Sequence, residues 1–519
     1  MSRLPEFFAL LLLVLLCACG AEAVNNTAIE QTARTEARAI TINVDTSNPK
    51  NCEPLLYGFS TAAMYWQIDA VNDTFINAVA ALRPKVLRFP GGTLAEFFHW
   101  DKPGYGLDYD EVKKHNVAYA ESLKEQNAFE ARRGARYVDD FTALAKRLNA
   151  DVLVCANMLT GTVQEMTSLL QHFKQNDVNV IGVELGNEMY LPKLQKFYPT
   201  PQSYIDACRP YAAALRSEFP GMKIGVVAAP YLKISDEPGE TDKVSSYYQA
   251  FNTAVAKENF YDAYIVHYYF PFECESVVGE CSVNRLNQIV NDQMPKSFAY
   301  YTSLFGSQRK QWITEWNIAT AQTKGRYGNT AFQALFIQSF YHALNKLNAQ
   351  HSNAVTIATY QTLAGNVVGS NMIMAPFKRE PFRDPQFGRF VRRVPWFANA
   401  LVEPVYAANL KLVQATLSQN VDGVQVYAYA HPGANDIYVY VLNGSDEDIT
   451  VESISVDGKK LSNVKTNFLQ PDAATAGFGW NKALGSNAPA EAVRYEVQNQ
   501  SNGITVKRFG CGYLQATAN

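Results

Sequence analysis

Between residues 54 and 362 one pattern recurs eight times, and it leaves few folds open. A short apolar run of strand length, with β-branched residues, ends in polar or small residues and gives way to a longer amphipathic stretch. The runs are PLLYGFST (54–61), PKVLRFPGG (84–92), DVLVCANM (151–158), VIGVELGNE (180–188), MKIGVVAAP (222–230), YDAYIVHYY (261–269), KQWITEWN (310–317) and VTIATYQT (355–362). Between them the period changes. In YVDDFTALAKRLN, for instance, Val138, Phe141, Leu144, Ala145 and Leu148 share one helical face. Strands alternating with helices in this number predict an α/β fold, a (β/α)8 TIM barrel, with a doubly wound open sheet as the alternative. No Gly-x-Gly-x-x-Gly follows the first run, which removes the nucleotide-binding form of that alternative. A barrel absorbs roughly 250 residues or more. The chain has 519, of which 47% are hydrophobic and 18% charged, so a second folded domain fits beside it.

The second domain is expected from about residue 405. GVQVYAYAHP, DIYVYVLNGS, DITVESISVDG, AVRYEVQNQ and ITVKRFG read as short strands divided by turn residues, which predicts a C-terminal all-β sandwich. In the third, Ile449 and Val451 fall out of phase with Ile454 and Val456, as a bulge would produce. The early run RAITINVD is expected to join the sandwich. The expected division is a leader (1–19), a polar, Ala-rich tether (20–36), a sandwich strand (37–50), the barrel (51–404) and the sandwich (405–519).

The leader carries FFALLLLVLL (7–16), too short for a spanning helix and placed as an export signal. Leu16-Cys17-Ala18-Cys19 is similar to a bacterial lipobox, with Cys19 as the lipidated first residue of the mature protein; cleavage after Ala18 or Ala23 is the rival. The expectation is an outer-membrane or cell-surface lipoprotein held by one lipid-modified terminus, otherwise a periplasmic or secreted protein. Six cysteines follow position 19, so disulfides are permitted, and Cys274–Cys281 is the expected pair. Cys155, inside an apolar run, reads as a buried thiol. No cluster has zinc-like spacing, and a net charge of −3 without a long basic run gives no reason to expect nucleic acid.

In such barrels the reactive groups gather at the C-terminal ends of the strands. The fourth run ends in Asn187-Glu188, the seventh in Glu315, and the sixth in His267-x-Tyr269. Strands four and seven lie on different parts of the rim, so their ends face each other across the mouth. Cleavage of a glycosidic bond needs such a pair: one carboxyl to protonate the leaving oxygen, one carboxylate to attack the anomeric carbon. Either Glu alone is within chance among 49 acidic residues; the joint pattern of strand ends is much less so.

At these positions the chain resembles the retaining glycoside hydrolases of clan A, most of all family 51, the α-L-arabinofuranosidases. ELGNEMY, LRFPGG, VHYYF and ITEWN carry the likeness, with VDDFTALAKRLNADVLVCANMLTGTVQE, over roughly residues 55–400. The resemblance implies Glu188 as acid/base and Glu315 as nucleophile. It implies Asn187 on the sugar 2-hydroxyl, Arg88 and Tyr269 holding Glu315, and His267 lining the site. A poorly solvated Glu188 with no cation beside it is expected to have a raised pKa, and the two carboxyl groups to stand about 5–5.5 Å apart. The implied substrate is a plant or algal polysaccharide or oligosaccharide, and the mechanism calls for no metal or cofactor. Family 51 proteins carry an acid shortly after the first strand that helps bind arabinose; YGFSTAAMYW has none before Asp69, so the sugar may be another. A glycan-binding lipoprotein on the same scaffold, without turnover, is the second reading, since fold alone does not separate the two.

Other residues carry two readings each. Tyr65, Trp66 and Trp100 are core or sugar-stacking platforms. Pro90-Gly91-Gly92 is an ordinary turn or a close approach of backbone to the site. Trp316, next to the nucleophile, is expected beside the sugar.

Overall fold

All eight apolar runs form strands, and the strands close. The computed structural model describes residues 37–62, 72–115, 134, 136–231, 242–270, 280–318, 328, 330–365, 371–374, 391–433, 435–462, 464–471, 493–500 and 503–517. These belong to one unit, Ala37–Asn519; the expected leader, Cys19 and the tether lie outside them. After β1 (Arg38–Asn51) come β2 (Gly58–Ser60), β3 (Val86–Phe89), β4 (Asp151–Ala156), β5 (Val180–Leu185), β6 (Lys223–Val227), β7 (Ala263–Phe270), β8 (Lys310–Ile318) and β9 (Val355–Tyr360). From β2 to β9 each strand pairs in parallel with the next, and β9 returns to β2, so the open-sheet alternative falls.

Strand alternation sorts the side chains inside the barrel. A lower layer packs Val86, Leu153, Ile265 and Ile357 around Trp312. Glycine at 182 and 225 makes room for that indole: a Cβ at either position would lie 2.6 Å from it. Two residues further along the same strands the inward positions become polar: Arg88, Cys155, Glu184 and His267, all buried. The barrel is thus closed below by apolar packing and lined above by charge.

The second domain is a ten-stranded, mostly antiparallel sheet curled over its own core of Ile42, Val439, Val451, Phe468 and Leu514. β1 enters it, antiparallel to Lys411–Leu417 and parallel to Ile449–Val456. The bulge foreseen in the latter strand is present. Pairing steps from Ile40–Val451 to Thr41–Ser453, leaving Glu452 extra. The helices Ala331–Gln350 and Val394–Ala407 join the two domains, through His342 on Tyr429 (2.7 Å) and Tyr440 on the Leu401 carbonyl (2.8 Å).

Cys52, Cys155, Cys208 and Cys511 are free thiols. The expected Cys274–Cys281 bridge falls outside the described residues. Among those residues no helix is long and apolar enough to cross a membrane.

Candidate active site

Arg88 organises the upper layer. Its guanidinium is fully buried and spends every edge on a partner. Nε donates to Glu184 Oε2 at 2.8 Å, Nη1 to Glu315 Oε1 at 2.6 Å, and Nη2 to Asn187 Oδ1 at 2.9 Å. Burial opposes the charge, but Glu184 and Glu315 outweigh it and hold the pKa well above the ordinary value. Gly91, with φ 69, explains the glycine of the Pro-Gly-Gly turn: a Cβ there would sit 3.2 Å from Arg88 Nη1 and 3.1 Å from Ser60 Oγ. Close approach of backbone, not the turn alone, requires it.

Glu315 reaches the mouth through a bulge. Simple alternation from Trp312 would send Thr314 inward and Glu315 outward. Instead β8 carries an extra residue against both neighbours: Val266 pairs with Ile313 but His267 with Glu315, and Ile313 pairs with Ala358 but Trp316 with Tyr360. The bulge turns Glu315 inward, where Tyr269 donates to its Oε2 at 2.5 Å. The same phase change turns Trp316 outward, a correction to the expectation above. Its ring is fully buried and stacks on Phe340 at 4.0 Å, in the layer between barrel and helix.

Glu188 follows β5 in a left-handed turn, φ 52, after Gly186 at φ 92. Its Oε1 lies 3.0 Å from His267 Nδ1 and 3.4 Å from the Tyr190 hydroxyl. His267 Nδ1 is also 3.8 Å from Glu315 Oε2, and one donor atom each of Glu188, His267 and Glu315 lie within 4.8 Å of one another. Burial raises the Glu188 pKa, but the His267 hydrogen bond and charge, with Lys193 and Arg88, bring it below the ordinary value. His267 moves the opposite way: burial lowers its pKa, and Glu315 and Glu188 together raise it. The expected raised pKa at Glu188 is therefore corrected. The reason is a cation-forming partner from strand six that lies far away in sequence. One proton is shared by the pair, which titrates as a unit.

The trio is the set among the described residues whose donors converge closely enough for a metal ion. Both Glu315 oxygens already accept hydrogen bonds, from Arg88 and Tyr269, so a divalent ion there would share them with those donors and face the Arg88 charge.

Two site residues escaped the sequence reading. Glu184 pairs with Arg88 in the barrel interior, both side chains wholly unexposed, and its Oε1 has no partner. The signal was there: two charges inside apolar runs, at positions that alternation points inward. Glu96, in the 3-10 turn Thr93–Phe97, accepts from the Asn187 and Met158 backbone amides and so braces the turn that carries Asn187 and Glu188. Burial pushes its pKa up to about 8. Trp100 is not at the carboxylates; it packs against His172 and lies under Arg136. Tyr65 and Trp66 lie outside the described residues.

The barrel and its trailing sandwich are shared with glycoside hydrolases of known structure. The family 51 arabinofuranosidase from Xanthomonas axonopodis pv. citri has a TM-score of 0.65 at 17% identity, over 92% of this chain and 100% of that one. The α-L-arabinofuranosidase from Thermotoga maritima, in complex with arabinose, also gives 0.65 at 17% identity, with coverage of 92% and 100%. The family 44 xyloglucanase from Paenibacillus polymyxa gives 0.55 at 14%, with coverage of 93% and 100%. No family model and no curated protein sequence matches the chain. At these identities the likeness is one of fold.

Proposed function

We propose that the chain is an exported retaining glycoside hydrolase acting on a plant or algal polysaccharide or its oligosaccharides, with Glu315 as nucleophile and Glu188 as acid/base. The observation that carries this is the close approach of the two carboxyl groups, with one oxygen of each within 4.8 Å of the other. A retaining pair stands about 5–5.5 Å apart and an inverting pair about 6.5–9.5 Å, to leave room for water. The fold shared with arabinofuranosidases and a xyloglucanase supports the substrate class.

In this reading Glu315, fixed by Arg88 and Tyr269, attacks the anomeric carbon as Glu188 passes to the leaving oxygen the proton that it shares with His267. Asn187 Oδ1 is taken by Arg88, which leaves the side-chain NH2 to donate to the 2-hydroxyl. Formation of the glycosyl ester discharges Glu315. The Glu188–His267 pair has by then given its shared proton to the leaving oxygen, so Glu188 takes the proton of the attacking water and restores the pair.

The test is release of sugar from aryl glycosides (α-L-arabinofuranoside, β-xyloside, β-galactoside, β-glucoside, β-glucuronide) and from plant and algal polysaccharides. Glu315→Ala should cut turnover about a thousandfold or more. Glu188→Ala should slow deglycosylation of an activated aryl substrate, with azide restoring the rate as a glycosyl azide. Near-wild-type activity of Glu315→Ala removes the nucleophile. Binding of glycans without release from any of them would favour the binding-protein reading.

A further inference from the structure

Beside Asn187 the surface opens into a recess that the chemistry above does not use. It is small, a cavity of about 40 Å³, with room for one substituent of a sugar rather than for a whole ring. Its walls come from the segments after the second, third and fourth barrel strands. His115 lies nearly parallel to Phe97, with centroids 5.7 Å apart, and meets Phe197 edge-on at 4.7 Å. Lys193 and Lys196 complete the wall, the latter 5.0 Å above the Phe197 ring. Among the described residues neither lysine has a carboxylate partner. The cations on the neighbouring rim do: Lys102 holds Asp108 at 3.1 Å and Arg136 holds Asp139 at 2.7 Å.

The one carboxyl in this wall does not offset the charge. Glu96 is buried, both its oxygens are taken by the Asn187 and Met158 backbone amides, and burial pushes its pKa up to about 8. His115 is lowered first by burial and then by the Lys196 charge, which with Lys114 outweighs the opposing pull of Glu111. The recess therefore joins an aromatic wall to two ammonium groups that have no carboxylate partner among the described residues. It also shares Asn187 with the catalytic pocket, and the Lys193 charge is felt at Glu188.

The geometry points to an anionic subsite: Lys193 and Lys196 bind a carboxylate or sulfate substituent of a glycan whose scissile bond lies between Glu188 and Glu315. This rests on the glycosidase reading and gives its substrate a charge. A uronic acid and a sulfate ester present the same chemistry, a sugar-borne anion, and the experiment separates them.

The full chain carrying Glu315→Gln, which binds without turnover, is titrated calorimetrically with two matched pairs. One pair is glucuronoxylan oligosaccharide and its carboxyl-reduced form; the other is sulfated galactan oligosaccharide and its desulfated form. One charged member should bind about tenfold tighter than its neutral partner at low salt, the margin shrinking as salt is added. The pair that shows the margin names the anion. Lys193→Ala with Lys196→Ala should cut it to about twofold, and arginine at both positions should keep it. Equal affinity within both pairs, no binding of either charged member, or a margin that survives both alanines overturns the subsite. The unmutated chain separates this from the parent reading. Charged glycan bound but never cleaved sinks hydrolysis and leaves the subsite; glycan cleaved with no charge margin does the reverse.

Discussion

Glu188 occupies a conformation that L-residues avoid. At φ 52 its Cβ crowds the following carbonyl, a cost of about 1–2 kcal/mol for any residue but glycine. The fold tolerates this because the turn is held from outside: Glu96 binds the Asn187 amide, and the Leu191 amide donates to the Glu188 carbonyl at 3.0 Å. Strain at a reactive residue is exchanged for the placement of its carboxyl against His267. Comparing Glu188→Gly with Glu188→Ala isolates the backbone, because both remove the carboxyl and only one removes the strain. The glycine variant should be the more stable by about 1 kcal/mol, with both inactive. Denaturant unfolding of the two proteins measures it; equal midpoints would mean that the turn is relaxed.

At the scale of elements, what the sequence could reveal follows from what is periodic. The eight barrel strands were legible because each buried run breaks off at its active end, and the bulge at Glu452 was legible because it shifts an apolar alternation. The bulge in β8 was not. Thr314, Glu315 and Trp316 carry no apolar phase to interrupt, so nothing in the sequence shows that the strand slips there and turns Trp316 away from the mouth. Glu184 is marked in the sequence only as a charge inside an apolar run, and Glu96 lies in a turn without a period. The His99 clasp is equally non-local. His99 Nδ1 meets Glu165 at 2.8 Å and Nε2 meets Glu111 at 2.7 Å, tying the segment after β3 to the helices Tyr109–His115 and Val163–Gln175. Burial works against the charged ring, but the two carboxylates win and raise its pKa above 6.5. A raised histidine contributes stability that is fully present below the unfolded value and is lost as pH climbs through the folded one. His99→Gln should therefore destabilise more at pH near 5.5 than at pH near 9, by about 1 kcal/mol. Unfolding midpoints at the two pH values check this, and an equal loss at both would mean that the clasp is neutral.

At the scale of the molecule, the barrel and the sandwich meet through two helices, Ala331–Gln350 and Val394–Ala407. Ala331–Gln350 is covered along nearly its whole length, against the barrel wall on one side, where Phe340 meets Trp316, and the sandwich on the other, where His342 meets Tyr429 and Tyr440. His342 Nε2 faces the side-chain Oε1 of Gln338 at 3.3 Å and so carries the hydrogen, while Nδ1 accepts from the Tyr429 hydroxyl at 2.7 Å. That neutral ring has no carboxylate to welcome a second proton, and burial alone pushes its pKa down to about 3, against 6.5 when exposed. The sign is opposite to that of His99. Between these values the unfolded chain binds a proton that the folded one refuses, so stability falls as pH drops from about 6.5 toward 3. The full loss is of order 4–5 kcal/mol, at 1.36 kcal/mol per unit. Because this ring sits where the domains join, acid should loosen both together, in one calorimetric transition, rather than shed the sandwich first. His342→Gln removes the titrating group. It should lower the unfolding temperature at pH 7, where a packed ring and its hydrogen bonds are lost, yet flatten the fall between pH 7 and pH 4 relative to the parent. The same acid slope in both proteins would show that other groups drive the acid transition. Two resolved transitions in the parent would show that the helix braces the barrel without making the two domains one folding unit.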